Sequence, residues 1–270
     1  MRTFGLIGFP LTHSFSQKYF SEKFKRENIN DAEFKNFPLE NVNDFPKLIE
    51  NNPSLRGLSV TIPHKQNVVK FLNEIGDVAK EVGAVNCIKI SKAENGKVKT
   101  EGFNTDAYGF EKSFKPMLKP HHNRVLILGT GGAAQAVKFV LEKNGFKYYF
   151  VSRSSGNVIR DGFRVRILGF NISESRENLI GYAGITKSVL KEYNIIVNTT
   201  PVGMFPDADT CPPIPYDYLT EKHLLYDLVY NPEETLFLKK GKEKGAQIKN
   251  GLEMLQLQAD KAWEIWNNYQ

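Results

Sequence analysis

Cysteine is scarce: the 270-residue chain has two, Cys87 and Cys211, too few for the disulfide framework of a small secreted domain. They read as two small hydrophobes of a reduced, cytoplasmic protein. Long apolar runs are missing as well. None approaches the roughly 20 residues of a membrane span, and the opening MRTFGLIGFPLTHS is too short and wrongly flanked for a signal peptide. Excess charge is slight, 36 Lys and Arg against 30 Asp and Glu, or +6 net. The basic residues are scattered and form no stripe that would track nucleic acid, so the excess suits small anions, phosphates and carboxylates. His121, His122 and His223 have no carboxylate or cysteine at ligand spacing, which predicts no metal site. No internal repeat or low-complexity tract interrupts the chain.

What is present is ordinary globular material, 41% hydrophobic and 24% charged, long enough for one large domain or two modest ones. Strand and helix patterns alternate. Residues 3–9 (TFGLIGF) read as a buried strand, 16–28 as a helix, 32–38 as a strand and 41–52 as a helix interrupted by Pro46. GLSVTI (57–62) and GAVNCIKI (83–90) add a third and fourth strand. This rhythm predicts an α/β fold with a mostly parallel sheet and helical crossovers. A second series begins near residue 124 with RVLILG, the amphipathic GAAQAVKFVLEKNG, and the buried strands KYYFVS, YNIIVNTT and HLLYDLVY. Helices over ETLFLKKGKEKG and GLEMLQLQADKAWEIWNNY close the chain. Residues 154–180 mix Gly, Ser and Arg; FRVRILGF within them alternates like an edge strand, and the stretch receives no function.

RVLILGTGGAAQA is the most informative motif. Gly129, Gly131 and Ala134 fit G-x-G-x-x-G/A directly after a strand and at the opening of a helix. The first glycine permits the tight turn, and the second lets backbone approach a pyrophosphate, whose charge the helix N-terminus favours. Thr130, Gly132 and Ala133 complete the loop. A carboxylate about 20 residues on would take the ribose 2′-hydroxyl of NAD, whereas an arginine accommodates a 2′-phosphate. Here the next strand ends in Ser152, Arg153 and Ser154. A guanidinium flanked by hydroxyls is phosphate chemistry, so NADP is preferred over NAD.

The first half carries its own polar residues at strand ends. GFPLTHSFS supplies Ser14 and Ser16, of which one could simply cap the next helix. GLSVTIPHK supplies Ser59, Thr61 and Lys65, GAVNC supplies Asn86, and EGFNTDAYGF supplies Asn104, Thr105 and Asp106, alone an ordinary turn or cap. Pro63 can start a helix, and Val68, Val69, Phe71 and Leu72 cluster as on a buried helix face. Lys65 then falls in a first helical turn, an unfavourable place for an ammonium. An ionised Asp106 would favour the same charge. His64 is as well read as structural as facing a cleft, and His13 as bracing its turn.

In this order the blocks resemble the shikimate dehydrogenase family: GFPLTHSFS, VTIPHK, GAVN, NTD, GTGGAA, NTTPVGM, YDLVYNP and GLEMLQLQA, spread over residues 5 to 259. Several are weak alone; eight in this order are specific. The resemblance implies NADPH-dependent reduction of 3-dehydroshikimate to shikimate in aromatic amino acid biosynthesis. It also implies a substrate domain of residues 1–105 plus 250–270, a Rossmann-type NADP-binding domain of residues 106–249, and an active site in the cleft between them. On this likeness Ser14, Ser16 and Tyr230 hold the substrate carboxylate, and Thr61, Asn86, Asp106 and Gln258 read the ring hydroxyls. Lys65 and Asp106 form the catalytic pair. Gly129 to Ala133, Ser152 to Ser154, Thr200, Leu228, Gly251 and Asp77 serve the cofactor. Two departures from the family pattern stand out: serine at position 59 where asparagine is usual, and Ser-Arg-Ser at 152–154 where Asn-Arg-Thr is usual.

Reducing a carbonyl leaves an alkoxide that needs a proton donor, and no Ser–Tyr–Lys cluster is evident to supply one. Lys65 is the expected donor and Asp106 its orienting partner. The expected partners are small molecules, with no nucleic acid or membrane, in a monomer or homodimer. Two alternatives compete: a quinate/shikimate dehydrogenase using NAD or NADP, and a non-catalytic nucleotide-binding regulator.

Overall fold

A computed structural model describes residues 1–11, 15–92, 96–153 and 178–268. Ser14, Ser154, His13 and the edge strand expected in FRVRILGF lie outside the described residues. The chain forms two compact units, one of Met1–Ser113 with Met254–Gln270 and one of Phe114–Glu253. The divisions fall at 113/114 and 253/254, where the sequence suggested 105/106 and 249/250. The reason is local. The helix that opens at Asp106 is tied through its first turn to Asn86 and Gln258, so it stays with the first unit, while Gly251, packed on Leu228 and bonded to Val229 O, stays with the second.

The first unit is built on β1 (Arg2–Gly8), β2 (Ala32–Pro38), β3 (Leu55–Val60), β4 (Glu74–Ile75), β5 (Cys87–Lys92) and β6 (Val98–Phe103), in the order β2-β1-β3-β5-β6-β4. β1 runs parallel to β2 and β3, but β5 is antiparallel to β3 and to β6. The sheet is therefore mixed, because β5 and β6 pair directly as neighbours in sequence, without a helical crossover. Successive side chains face opposite sides of the sheet. Phe4, Leu6 and Cys87 meet Phe20 and Phe24 of α1 (Phe15–Arg26) and Ala259, Ala262 and Trp266 of α8 (Leu252–Asn267). Ile7, Leu58, Val60 and Ile88 face the other core, with Phe45 and Ile49 of α2 (Phe45–Asn51) and Ala79 of α3 (Asp77–Val82). Pro46 does not interrupt α2 but sits in its first turn, where its missing N–H leaves no bond unmade. Trp266 Nε1 donates to the Ile88 carbonyl at 3.0 Å, fixing α8 on the sheet.

One expected helix is absent. Residues 67–71 form a short 3-10 helix, and Lys65 and Gln66 are turn. The Lys65 carbonyl, which an α-helix would offer to Val69, accepts instead from Val85 N at 2.7 Å, while Val69 N turns to Gln66 O. Tertiary hydrogen bonding overrides the apolar spacing, so Lys65 does not sit in the first turn of an α-helix.

Among the described residues the second unit holds six parallel strands: β7 (Arg124–Leu128), β8 (Lys147–Ser152), β9 (Leu179–Gly181), β10 (Ile195–Asn198), β11 (Leu224–Asp227) and β12 (Gln247–Lys249). Their order is β12-β11-β10-β7-β8-β9. Leu126, Leu128, Ile196 and Leu225 are fully buried, as continuous apolar strands covered on both faces must be. α5 (Gly132–Lys143) follows β7, α6 (Lys187–Glu192) precedes β10, and α7 (Leu236–Glu243) leads to β12. The chain order reverses direction between β7 and β10. In open α/β sheets ligands bind at such a switch point, beyond the carboxyl ends of the strands.

Candidate active site

In the first unit, strand ends and one helix start converge on a buried polar group. β5 begins just after Asn86, which is 3% exposed, and α4 (Asp106–Phe114) begins where β6 ends. Asn104 fixes that start, accepting from Ala107 N at 3.0 Å and donating to Ala84 O at 2.9 Å. Asn86 is the hub. Its amide nitrogen donates to Thr105 Oγ1 at 2.9 Å, Asp106 Oδ1 at 2.8 Å and Gln258 Oε1 at 3.3 Å. Its oxygen accepts from Thr105 N at 2.6 Å. Lys65 Nζ donates to the other carboxylate oxygen of Asp106 at 2.6 Å.

The Lys65 side chain remains 20% exposed and that of Asp106 10%. An ammonium thus stands at an accessible edge, held by a carboxylate whose second oxygen is already committed. One of the ammonium's three N–H donors is spent on Asp106, which leaves the others to meet an acceptor at that edge. Its orientation comes from Asp106 and from the Val85 bond to the Lys65 carbonyl, not from a helical turn of its own. The neighbouring His64 is 2% exposed, with Nε2 against the Leu39 carbonyl, so it braces the turn and does not face the site.

Of the other residues expected to bind substrate, Ser16 lies half-buried in the first turn of α1 and Thr61 half-buried just beyond β3. Thr61 O accepts from His64 N at 2.9 Å, which closes the turn that carries Lys65. Ser59 is buried in β3. Tyr230 lies in the second unit, half-buried, and burial pushes its phenol above the usual range. Asp77 takes no part in the Asn86 network; its side chain is 94% exposed and pairs with Lys80.

The residues expected to serve a cofactor gather at the carboxyl ends of the second sheet. Gly129 ends β7 with φ +108°, a backbone state that favours glycine, and an added Cβ would lie 2.7 Å from Thr199 Oγ1. Thr200 packs beside it, while Ser152 ends β8 and Arg153 follows it, exposed. Leu228 follows β11, and Gly251 presses so closely that a Cβ there would overlap the Leu228 carbonyl. The fit to a dinucleotide rests on the loop itself. Among the described residues no side chain caps α5, and a Cβ added at Gly131 would meet nothing within 4 Å, so the turn leaves room for a pyrophosphate against helix N–H groups.

A second network received no role from the sequence, although Asn198 and Asp227 lie in the blocks NTTPVGM and YDLVYNP. Asn198, Asp227 and Thr235 are each fully buried. Asp227 accepts from Asn198 Nδ2 at 2.9 Å, Val229 N at 3.0 Å and Thr235 Oγ1 at 2.6 Å. Asn198 Oδ1 accepts from Thr200 N at 3.1 Å and Thr200 Oγ1 at 2.6 Å. Burial pushes the Asp227 carboxyl up to about 6 against these hydrogen bonds. A polar residue ending each of the apolar runs IIVN and LLYD was the available signal.

Six parallel strands with a glycine-rich turn at the switch point define a dinucleotide-binding α/β protein, and the first unit adds a lysine–carboxylate pair suited to acid–base work. Comparison with known proteins narrows the class. A family model described as the shikimate dehydrogenase substrate binding domain matches residues 6–88. A shikimate dehydrogenase (NADP(+)) of Methanococcus maripaludis is 38% identical over 97% of this chain and 90% of its own. The corresponding protein of Clostridium beijerinckii is 39% identical over 100% and 93%. Among solved structures, Thermus thermophilus shikimate 5-dehydrogenase in complex with NADP(H) and shikimate superimposes with TM-score 0.78 at 26% identity, covering 99% of this chain and 94% of that one. The chain belongs to the shikimate dehydrogenase family.

Proposed function

We propose that this protein interconverts 3-dehydroshikimate and shikimate with NADP(H), the reduction serving aromatic amino acid biosynthesis. The observation that carries the reading is the Lys65–Asp106 pair at 2.6 Å, clamped by Asn86 within reach of Thr105 and Gln258. Five hydrogen-bonding side chains converge there, chemistry suited to a small ring bearing several hydroxyls. Ser14, Ser16 and Tyr230 hold its carboxylate in this reading, while Thr61, Asn86, Asp106 and Gln258 read its hydroxyls.

The dihydronicotinamide of bound NADPH supplies the hydride. The protein supplies the rest. As negative charge grows on the carbonyl oxygen, the Lys65 ammonium donates its proton there, a contribution of about 10²- to 10⁴-fold for a positioned acid. Asp106 keeps Nζ directed at that oxygen and, through the Asn86 bond to Oδ1, keeps its own carboxylate from rotating away. Residues 129 to 133, Thr200, Leu228 and Gly251 hold the cofactor, and Arg153 takes a 2′-phosphate. No helix among the described residues is long and apolar enough to cross a membrane, and the two thiols are free, which suits a reducing cytoplasm.

The test is turnover of NADP and of NAD with shikimate and with quinate, followed by the absorbance of the reduced nicotinamide. Shikimate with NADP is expected to be the preferred pair. Turnover of quinate alone would replace the substrate, and nucleotide binding without turnover of either would leave a regulator.

A further inference from the structure

Among the described residues Asp227 has no partner of opposite charge; it is held only by Thr235, Val229 and Asn198, and its burial makes ionisation unfavourable. A carboxylate in such a place works against stability unless its geometry is needed. Its bonds show what that geometry is. One oxygen accepts from Val229 N, in the loop after β11, and from Asn198, whose own amide oxygen accepts twice from Thr200, in the loop after β10. The other oxygen accepts from Thr235, the cap of α7, whose hydroxyl oxygen also meets Leu238 N. Between the same loops Phe205 N donates to Asn231 O at 3.1 Å, and Leu228 N to Asn198 O at 2.9 Å.

We propose that Asp227 is a positioning residue for the cofactor: through Asn198 it locks the loops carrying Thr200 and Leu228 into one arrangement at the carboxyl edge of the sheet. This rests on the reading of Thr200 and Leu228 as cofactor-binding residues. Neither Asp227 nor Asn198 has exposed surface with which to touch a ligand. Their effect passes through the loops.

Two variants separate positioning from mere folding. Asp227→Asn keeps the shape and removes the charge. Whichever way its amide turns, both sides lose the charged acceptor: one meets a neutral carbonyl oxygen and the other an NH2 that cannot accept, and charge-assisted hydrogen bonds are about twice as strong as neutral ones. Thr235→Val leaves both loop bonds intact and removes only the third bond and the helix cap. For Asp227→Asn we expect KM for NADP and the dissociation constant for NADPH to rise about tenfold, a change of ~1.4 kcal/mol. The NADPH constant is measured without shikimate, because Tyr230 follows Val229 in the same loop and KM for shikimate would move with it. The thermal midpoint at neutral pH should be no lower than that of the unmodified protein. Thr235→Val should melt earlier yet keep its KM for NADP. The proposal is overturned if NADP and NADPH constants are unchanged in Asp227→Asn, if they rise together with a lowered midpoint, or if Thr235→Val matches its NADP defect. Failure of the unmodified protein to bind NADPH would instead refute the cofactor assignment itself.

Discussion

At the scale of single residues the pair Lys65 and Asp106 dominates. Replacing Lys65 with Met keeps the aliphatic stem and removes the proton donor. The expected outcome is a fall in kcat of about 10²- to 10⁴-fold with a modest change in KM for shikimate, since the group acts mainly as charge develops. Steady-state kinetics decide it, and a near-normal kcat would end the assignment. These residues were legible in the sequence as polar positions closing apolar strands. Their distances were not, because Lys65, Asn86, Asp106 and Gln258 come from four separate blocks that only the folded first unit brings to one point. The first helical turn expected around Lys65 gives way to a turn pinned by Val85 N and His64. His64, ambiguous as a motif residue, is explained by burial.

At the scale of elements the second unit was the more readable half. Continuous apolar runs announced β7, β8, β10 and β11, because a strand buried on both faces needs apolar side chains throughout. Short edge strands announced little: β4, β9 and β12 have two or three residues each, too few for periodicity to register. β6, VKTEGF, is polar enough to pass for loop, and its antiparallel pairing with β5 was missed with it. Close backbone approach is equally silent in sequence. Gly251 looks like an ordinary helix-leading glycine, yet a methyl there would overlap the Leu228 carbonyl. Gly251→Ala should therefore push the Leu228 loop away, lowering stability by about 1–3 kcal/mol, the usual range for overpacking. NADPH affinity should fall with it. Urea unfolding and fluorescence titration measure both; if neither moved, the contact would have no energetic weight.

At the scale of the whole molecule, buried titratable groups set how stability follows pH, and they pull in opposite directions. His122 and His223 are buried as neutral rings, each accepting a backbone N–H at Nδ1, from Lys119 and Thr220, with Nε2 against a backbone carbonyl. Burial holds both below the ordinary 6.5, so their contribution is fully present above that pH and is lost as pH falls through their folded-state values. Asp227 runs the other way. Its folded value of about 6 against 3.8 means that the protonated form suits the fold, so its contribution is present below pH 3.8 and lost as pH rises through 6. Over about two pH units that amounts to ~3 kcal/mol. Tyr216, whose phenol is raised mainly by burial, also feels the Asp227 charge. Comparing Asp227→Asn with the unmodified protein cancels the histidines, which both retain. The variant should be the more stable by up to ~3 kcal/mol near neutral pH, and this advantage should shrink steadily to nothing near pH 4. Urea midpoints measured across that range test it. A difference independent of pH would mean that Asp227 does not change its charge between the folded and unfolded chain.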